Sequence, residues 1–250
     1  FSREHLITQF SDGQKNLSAE WAVSLPDGSH GFIRSELQMI QDPYTGHIKV
    51  YTILRDITKE KFAALDVKKK AETDGMTGVY NKTTAENLIS SRLSRAEAAP
   101  CALLVVDLDS LKTFNDTLGH AQGDKAIQLI GEALHTQFRQ TDIVGRIGGD
   151  EFIAFLDNCG TESWLSSAMR TFMKRLSAIR IGEQKQLPLR VSVGIAFGVT
   201  ARDTYDTLFQ QADKALYHVK RNGKNNFAFY TPEMEQAAYQ YTPYIEEQAD

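Results

Sequence analysis

The apolar run Cys-Ala-Leu-Leu-Val-Val at positions 101–106, which ends in the acid Asp107, is the feature that most limits how this chain can fold. A short, continuous apolar run rich in branched residues is typical of a β-strand that is buried on both faces. From Thr73 onward, strand and helix patterns alternate on either side of this run. The sequence therefore predicts an α+β domain, and we expect helices on one side of a mainly antiparallel sheet.

The other elements of this domain follow from the spacing of apolar residues. Ala126, Ile127, Ile130 and Leu134 have the three- and four-residue spacing of an amphipathic helix. The predicted helices are 123–138, 162–181 and 205–221, and the predicted strands are 101–107, 143–147, 152–156, 189–199 and 227–230. We expect residues 232–250, which contain two prolines, to form an irregular tail.

The first sixty residues have a different, strand-rich character. Segments 17–25, 31–40 and 47–54 are separated by turn residues such as Pro26-Asp27-Gly28-Ser29. Alternating segments joined by this turn chemistry predict an antiparallel meander.

A charged helix is expected to link the two regions. Asp56 is suited to cap its first turn, and the helix should run to about Glu72. Its few apolar positions, which include Ile57, Phe62 and Leu65, leave open whether it pairs with a second copy as a coiled coil.

Composition limits the class of protein. A chain of 250 residues that is 42% hydrophobic can form one or two domains with sizeable cores. A net charge of −4 argues against bulk nucleic-acid binding, and Cys101 and Cys159 lie in no metal-ligand spacing. No apolar run is long enough to cross a bilayer. The two isolated cysteines favour a reducing cytoplasm. Because the sequence begins with Phe1, we expect a fragment that reaches a membrane only through a segment upstream.

The stretch Arg146-Ile-Gly-Gly-Asp-Glu-Phe152 places two carboxylates beside a glycine pair, between two apolar runs. We expect a hairpin whose two glycines supply positive φ angles, and such a hairpin alone is compatible with a solvated turn. If the strand that ends at Asp107 lies beside it, three carboxylates converge and require a cation. Oxygen ligands of this kind predict a Mg²⁺ site that acts on a nucleotide.

The stretch resembles the signature of the GGDEF family of diguanylate cyclases. Three further segments resemble the family's other motifs in the same order, so that the resemblance covers about Thr73–Thr231. They are Asp74-Gly-Met-Thr-Gly-Val-Tyr-Asn-Lys82, then Asp107-Leu-Asp-Ser-Leu-Lys-Thr-Phe-Asn-Asp116 with Gly119-His120 and Gly123-Asp124, and finally Leu216-Tyr-His-Val-Lys-Arg-Asn-Gly-Lys-Asn225.

The resemblance implies a fold, a metal site and a reaction. The fold is a ferredoxin-like sheet with flanking helices, similar to adenylate cyclases and polymerase palm domains. Mg²⁺, or alternatively Mn²⁺, would be held by Asp107, Asp150 and the carbonyl of Leu108, with Asp150 and Glu151 as the catalytic pair. The reaction joins two GTP molecules into cyclic di-GMP and releases two pyrophosphates.

The same resemblance implies the residues that bind the substrate. Asn115 and Asp124 would read the guanine edge, although Asp124 also suits the N-cap of the helix predicted at 123–138. Lys112, Lys220 and Lys224 would bind the triphosphate, and the alternative for these lysines is a solvated helix face.

A second, inhibitory site is implied by Arg139-Gln-Thr-Asp142, which matches the family's Arg-x-x-Asp pattern at the family's distance from the hairpin. Cyclic di-GMP would bind there and restrain the domain, with Arg170 as a third member. The alternative is an ordinary surface ion pair.

The N-terminal region resembles the C-terminal half of a PAS sensor domain, chiefly in Leu25-Pro-Asp-Gly-Ser29 and in Val50–Thr58. The expected organisation is a partial PAS-like segment at 1–57, a linker at 58–72, the cyclase domain at 73–231 and the tail at 232–250. No sensory ligand can be named from the sequence.

Three functions remain open at this stage. The expected one is a cyclase that works as a homodimer. The alternatives are a silent domain that acts as a receptor for cyclic di-GMP or GTP, and a purely structural dimerisation module. The presence of Asp107, Asp150 and Glu151 favours the enzyme, because a silent member is expected to have lost these carboxylates.

Overall fold

A computed structural model describes residues 16–25, 27–95 and 97–234 of the chain. The chain divides into two compact units, Phe1–Ala71 and Glu72–Asp250. No helix in the described part is both long enough and apolar enough to cross a membrane. Most of the predicted tail, residues 235–250, lies outside the described residues.

The first unit contains the predicted meander and the linker helix. Strands β1 (Asn16–Ser24), β2 (His30–Gln41) and β3 (Ile48–Asp56) pair in chain order as antiparallel neighbours. Helix α1 (Thr58–Glu72) follows directly, and the Asp56 carboxylate accepts a hydrogen bond from Thr58 N at 2.9 Å. The meander and the helix are thus confirmed, whereas the PAS assignment and the pairing of α1 stay predictions.

The second unit is built on a six-stranded mixed sheet. Its strands are β4 (Tyr80–Asn81), β5 (Pro100–Leu108), β6 (Ile143–Arg146), β7 (Glu151–Asp157), β10 (Val191–Val199) and β11 (Phe227–Phe229), and their spatial order is β11-β10-β5-β7-β6-β4. The three central pairings are antiparallel, while the two edge pairings are parallel. The run at 101–106 forms the buried β5, as predicted.

Helices cover both faces of this sheet, so the expectation of helices on one side is wrong. Helices α4 (His120–Gln137) and α5 (Glu162–Ala178) pack against the face that includes Leu104 and Val106. Helices α2 (Lys82–Leu93) and α6 (Tyr205–Arg221) pack against the face that includes Leu103 and Val105. Because successive residues of a strand point to opposite faces, an unbroken apolar run requires cover on both.

Several short elements were not predicted. They are α2, α3 (Leu111–Leu118), β4 and the small hairpin of β8 (Arg180–Ile181) and β9 (Leu187–Pro188). Helix α3 follows β5 after two residues and contains Lys112 and Asn115, two of the predicted substrate-binding residues. The left-handed residue Ser110 (φ 64°) separates β5 from α3, and Gly119 (φ 85°) separates α3 from α4.

Candidate active site

Two acidic residues face each other where β5 and β7 meet. Asp107 and Glu151 are partners in the antiparallel register, and Leu108 N donates to Asp150 O at 3.1 Å. Asp107 is 8% exposed, so its carboxylate is held largely out of solvent. The sheet therefore brings the acidic residues Asp107, Asp150 and Glu151 to the same end of the β5–β7 pair, and their joint role stays a prediction.

The hairpin itself differs in detail from the prediction. Its connection spans four residues, from Ile147 to Asp150, and Gly148 and Gly149 are not among the positive-φ glycines of the described chain. The expected positive φ angles are therefore wrong. A Cβ at Gly148 would lie 3.0 Å from Oε2 of Glu151, so a larger residue there would have to displace that carboxylate.

The Arg146 side chain donates hydrogen bonds to the backbone of this turn. Its Nη2 donates to the carbonyl of Gly149 at 2.7 Å and its Nε to that of Gly148 at 3.1 Å. Its Nη1 pairs with the Asp74 carboxylate at 3.1 Å, and the same carboxylate accepts from N and Oγ1 of Thr77. Asp74, in the first of the recognised motifs, is thereby tied to the turn that carries the predicted catalytic pair.

Charge is unbalanced at the carboxylate edge. Burial raises the pKa of Asp107, the Lys220 ammonium at 2.8 Å opposes that rise, and the charges of Asp150 and Glu151 add to it, so the pKa lies above its ordinary value. At Asp74 burial also disfavours the charge, but hydrogen bonds from Thr77 and Arg146 hold its pKa below the ordinary value. A cation in addition to Lys220 would therefore be favoured beside Asp107.

The donor set suits a hard divalent ion. Carboxylate and carbonyl oxygens are the ligands that Mg²⁺ prefers, and it commonly uses one or two carboxylates together with water and phosphate oxygens. Among the described residues, no group of three or more His, Cys, Asp or Glu side chains is placed to hold an ion. Asp107, Asp150 and the Leu108 carbonyl are thus candidates for a site that a bound nucleotide must complete.

The predicted guanine reader Asn115 has an unusual environment. Its Oδ1 is buried and has no hydrogen-bond partner in the described part of the chain. A Cβ at Gly123 would lie 2.0 Å from that oxygen, so only glycine leaves room for the Asn115 amide there. A buried acceptor without a donor is costly, and an N–H group on a ligand would satisfy it.

Asp124 cannot act as the N-cap of the helix. Helix α4 begins at His120, its N-cap position is Gly119, and Asp124 lies exposed in the second turn. The alternative of a helix cap is therefore wrong, because the helix starts three residues earlier than predicted. Guanine recognition by Asp124 stays a prediction.

The three predicted phosphate-binding lysines occupy different positions. Lys220, in the last turn of α6, pairs with Asp107. Lys224 lies in the following loop with a left-handed backbone (φ 59°) and lines a pocket beside β5. Lys112 is exposed near the start of α3.

The Arg139–Asp142 segment forms a tight turn. Asp142 N donates to Arg139 O at 3.0 Å, and the Asp142 carboxylate accepts from Arg139 N at 2.9 Å. Burial raises the pKa of Asp142. The predicted alternative of an ion pair between the two side chains is not what the structure shows, since the carboxylate contacts the backbone of Arg139. The exposed Arg139 guanidinium forms no ion pair with the described residues.

Arg170 does not join that turn. Its guanidinium lies 5.9 Å from the ring centroid of Phe227 in β11, and three strands separate β11 from β6, which Asp142 precedes. Arg175 of the same helix does reach the neighbourhood of the pair, because its Nη1 is 3.5 Å from Oε1 of Gln137, two residues before Arg139. The position of Arg170 followed from motif spacing alone, which does not specify how α5 is rotated.

Two residues with a structural part in the site were not assigned from the sequence. Arg146 and Asp109 stand inside recognised motifs, but only the fold shows their partners. Asp109 is 6% exposed and accepts hydrogen bonds from Ser192 Oγ and Asn225 N. The signal that could have found Asp109 is the acidic pair in Asp107-Leu-Asp109, since residues two apart share one face of a strand.

Comparison with known proteins places this geometry in a family. The family model described as "Diguanylate cyclase, GGDEF domain" matches residues 71–226. The probable diguanylate cyclase DgcC of Escherichia coli is 36% identical over 154 residues, which are 61% of this chain and 41% of DgcC. Diguanylate cyclase DgcM of the same species is 29% identical over 229 residues, 88% of this chain and 52% of DgcM. The chain thus spans about half or less of these relatives.

Similarity is not confined to cyclases. The cyclic di-GMP phosphodiesterase PdeR of Escherichia coli is 30% identical over 186 residues, which are 74% of this chain and 28% of PdeR.

Solved structures agree with the fold. The GGDEF domain of TpbB (YfiN) from Pseudomonas aeruginosa superposes with a TM-score of 0.61 at 28% identity, covering 67% of this chain and 99% of that one. The GGDEF domain of DgcB from Caulobacter crescentus in complex with c-di-GMP gives a TM-score of 0.59 at 25% identity, covering 64% and 95%. On the family match, the ordered motifs and the shared fold, this chain belongs to the GGDEF family of diguanylate cyclase domains.

Proposed function

We propose that this protein is a diguanylate cyclase that condenses two GTP molecules into cyclic di-GMP and two pyrophosphates with Mg²⁺, or Mn²⁺, as cofactor. The observation that carries this proposal is the intact carboxylate edge, where Asp107 and Glu151 are register partners and Asp150 lies beside them. A domain that had lost the activity would have no need to keep this uncompensated charge in a partly buried place.

Different residues of the chain would serve different parts of the reaction. In each step the 3′-oxygen of one GTP attacks the α-phosphorus of the other, and pyrophosphate leaves with the bonding electron pair. A divalent ion held by Asp107, Asp150 and the Leu108 carbonyl would neutralise phosphate charge and favour deprotonation of the hydroxyl. Lys220, whose Nζ is 2.8 Å from the Asp107 carboxylate, would stabilise charge that builds up on the phosphate.

Guanine selectivity is assigned to Asn115 and Asp124. The unpartnered Oδ1 of Asn115 supports this assignment, because guanine presents N–H donors that adenine lacks at the same edge. The preference for GTP over ATP should then fall by about 1–3 kcal/mol when Asp124 is replaced by Ala, since a ligand group loses its partner.

Catalysis requires two copies of the domain. One site holds one GTP, so the 3′-hydroxyl in each domain must reach the α-phosphate held by the other. A homodimer is therefore part of the proposal, and α1 is the element assigned to raise the local concentration of one domain near its twin. The rate should fall faster than linearly when the protein is diluted below its dimerisation constant.

Product inhibition is assigned to Arg139 and Asp142. The exposure of Arg139 supports the assignment, because arginine binds phosphates and guanine edges through parallel hydrogen bonds. Arg139→Ala should relieve inhibition by added cyclic di-GMP and leave the initial rate unchanged. A variant that remains as sensitive to product as the parent would refute the assignment.

A catalytically silent receptor for cyclic di-GMP or GTP is the second candidate. The similarity to PdeR supports this second candidate, because PdeR matches this chain over 186 residues and is named for a different activity. Incubation of the purified protein with GTP and Mg²⁺, followed by chromatographic separation of the nucleotides, decides between the two. Cyclic di-GMP and pyrophosphate are expected from the parent and none from Glu151→Gln, whereas binding of GTP without conversion would establish the receptor.

A further inference from the structure

Strand β3 lies at an edge of the sheet in the first unit, and all nine of its residues are exposed. It pairs with β2 on one side, and no other strand among the described residues pairs with its second side. Its large apolar side chains are 39% to 67% exposed, and they are Ile48, Val50, Tyr51, Ile53 and Leu54. An apolar edge strand presents a row of unpaired N–H and C=O groups, which is a template for pairing with another strand.

The opposite edge of the same sheet is protected by charge. Glu20, at the centre of β1, forms ion pairs with Arg34 of β2 and Lys61 of α1. Charged side chains in an edge strand discourage pairing with another sheet. In β3 the charged residues lie near the two ends, and residues 50–54 between them contain no charge and no proline. The β3 edge is therefore the one suited to accept a further strand.

The sequence of β3 is compatible with antiparallel pairing against a second copy of itself. In such a symmetric pair, residue i of one copy lies opposite residue j of the other, and residue j lies opposite residue i. Centring the pair on Thr52 would place Lys49 opposite Arg55 of the second copy, and like charges directly opposite each other are unfavourable.

Centring the pair on Tyr51 removes this repulsion. Residues 48–54 of the two copies then face each other, with Ile48 opposite Leu54 and the two Tyr51 side chains opposite one another. Aromatic and β-branched residues in opposite positions stabilise a strand pair. The same two copies are what the proposed reaction needs, so a second copy of this chain is the occupant that fits the edge.

We propose that β3 pairs with β3 of a second copy, antiparallel and centred on Tyr51, so that the two three-stranded sheets join into one continuous sheet. This goes beyond the proposed function, which assigns dimerisation to α1 alone. A single strand pair is small for a stable interface, so β3 and α1 act together. Two weak contacts on one chain give tighter association than either contact alone, because the second forms at a high effective concentration.

The first test measures the oligomeric state of the purified protein without nucleotide, by sedimentation equilibrium. Tyr51→Lys places two lysines opposite each other, so the dissociation constant of the dimer should rise by at least about tenfold. Tyr51 is 55% exposed, so the variant should fold, which thermal melting checks. Ile40→Lys is the matched control, because Ile40 is 46% exposed but lies in the central strand β2, and its dimer should dissociate like that of the parent.

The second test is a disulfide cross-link between the two copies. Cys101 and Cys159 are both buried, so Tyr51→Cys adds the only exposed thiol of the chain. Opposite residues of an antiparallel pair have Cα atoms about 4.5–5.5 Å apart, which is within the span of a disulfide. Mild oxidation should convert Tyr51→Cys to a covalent dimer on a non-reducing gel, whereas Ile40→Cys should stay monomeric there.

The outcomes separate this proposal from the cyclase assignment, because neither test uses GTP. A parent that stays monomeric at every concentration measured would overturn self-pairing and leave the edge to a strand of another protein. A dimer that Leu65→Lys in α1 dissociates and Tyr51→Lys leaves intact would assign dimerisation to α1 alone and overturn the role of β3. Equal cross-linking of Tyr51→Cys and Ile40→Cys would have the same meaning. A protein that dimerises through β3 but makes no cyclic di-GMP would refute the proposed function and support this inference.

Discussion

The acidic residues at the two ends of the β5–β7 strand pair have opposite charge environments. At one end, Asp107 and Glu151 are partners, Asp150 is next to them, and Lys220 provides the ion pair. At the other end, Asp157, the partner of Cys101, accepts from two guanidinium groups, Arg92 at 2.7 Å and Arg95 at 2.9 Å. At the first end, one lysine pairs within a group of three acids, whereas at the second end two arginines pair with Asp157, beside which Asp142 is a second acid.

This difference in charge balance distinguishes the candidate active site from a structural contact. An acid with two arginines needs nothing further, so the Asp157 end is complete within the chain. Acids in excess repel each other and raise the free energy of the empty protein, which a bound cation relieves. The same pair of strands therefore contains an end whose acid is paired with two arginines within the chain, and an end whose acids a bound cation would neutralise.

The largest expected effect tests the carboxylate end. Glu151→Gln keeps the size of the side chain and removes its charge, so cyclic di-GMP synthesis should fall by at least about 10³-fold, equivalent to about 4 kcal/mol. The free energy of unfolding without metal should change by no more than about 1 kcal/mol, because the variant removes repulsion instead of a favourable contact. Product formation and urea unfolding measure the two quantities. Activity near that of the parent would contradict the assignment of this end.

The second prediction concerns the Asp157 end. Asp157→Ala leaves Arg92 and Arg95 without their shared acceptor, and the unfolding free energy should fall by about 1–3 kcal/mol. The specific activity of the folded fraction should stay within about twofold of the parent. Asp157→Asn is the milder companion, because its amide oxygen can still accept one hydrogen bond. Loss of activity without loss of stability would contradict this prediction, because it would show that the Asp157 end also affects the reaction.

The sequence predicted the two ends unequally, and the reason is physical. The apolar run 101–106 and the Gly-Gly-Asp-Glu stretch specify a strand and a hairpin, so both elements followed from local pattern. Their pairing was only a condition of the predicted acidic edge, and the fold meets it. The environment of Asp157 depends on α2, a helix that sequence analysis did not identify. Its hydrophobic face is narrow, and only Ala85, Ile89 and Leu93 are buried.

Side-chain direction was the second limit on prediction. Motif spacing named Arg139, Asp142 and Arg170 together, but spacing along a chain does not give the rotation of α5, which turns Arg170 towards Phe227. Likewise, Asp109 and Arg146 belong to recognised motifs, yet their hydrogen-bond partners lie 83 and 72 residues away in sequence, at Ser192 and Asp74. Such contacts become visible only when the chain has folded.

The third prediction tests how the acidic turn is held. Arg146→Lys keeps the charge opposite Asp74 but cannot donate to the carbonyls of Gly148 and Gly149 in the same fixed geometry. The turnover number should fall by about tenfold, or 1.4 kcal/mol, because Asp150 and Glu151 are less well positioned. Arg92→Lys at the other end is the matched control and should leave turnover unchanged. Equal losses in both variants would indicate general destabilisation.

The smallest expected effect is the pH dependence that Asp107 confers on the metal-free protein. Burial, together with the nearby acids, raises the pKa of Asp107 above its value in the unfolded chain, and Lys220 offsets only part of this. The stability that this group contributes is therefore present below the unfolded pKa and is lost as the pH rises through the folded pKa. Asp74 has the opposite sign, because Thr77 and Arg146 hold its pKa down and its contribution is lost as the pH falls.

In EDTA, Asp107→Asn should therefore melt at a higher temperature than the parent at neutral pH, and the difference should shrink as the pH is lowered towards about 4, the pKa of an unperturbed aspartate. Asp74→Asn should show the reverse trend. Added Mg²⁺ should raise the melting temperature of the parent and not that of Asp107→Asn, since binding to the native state stabilises it. A parent that melts above Asp107→Asn in EDTA at neutral pH would mean that Lys220 fully compensates this end, and the contrast between the two ends of the strand pair would then lie in catalysis alone.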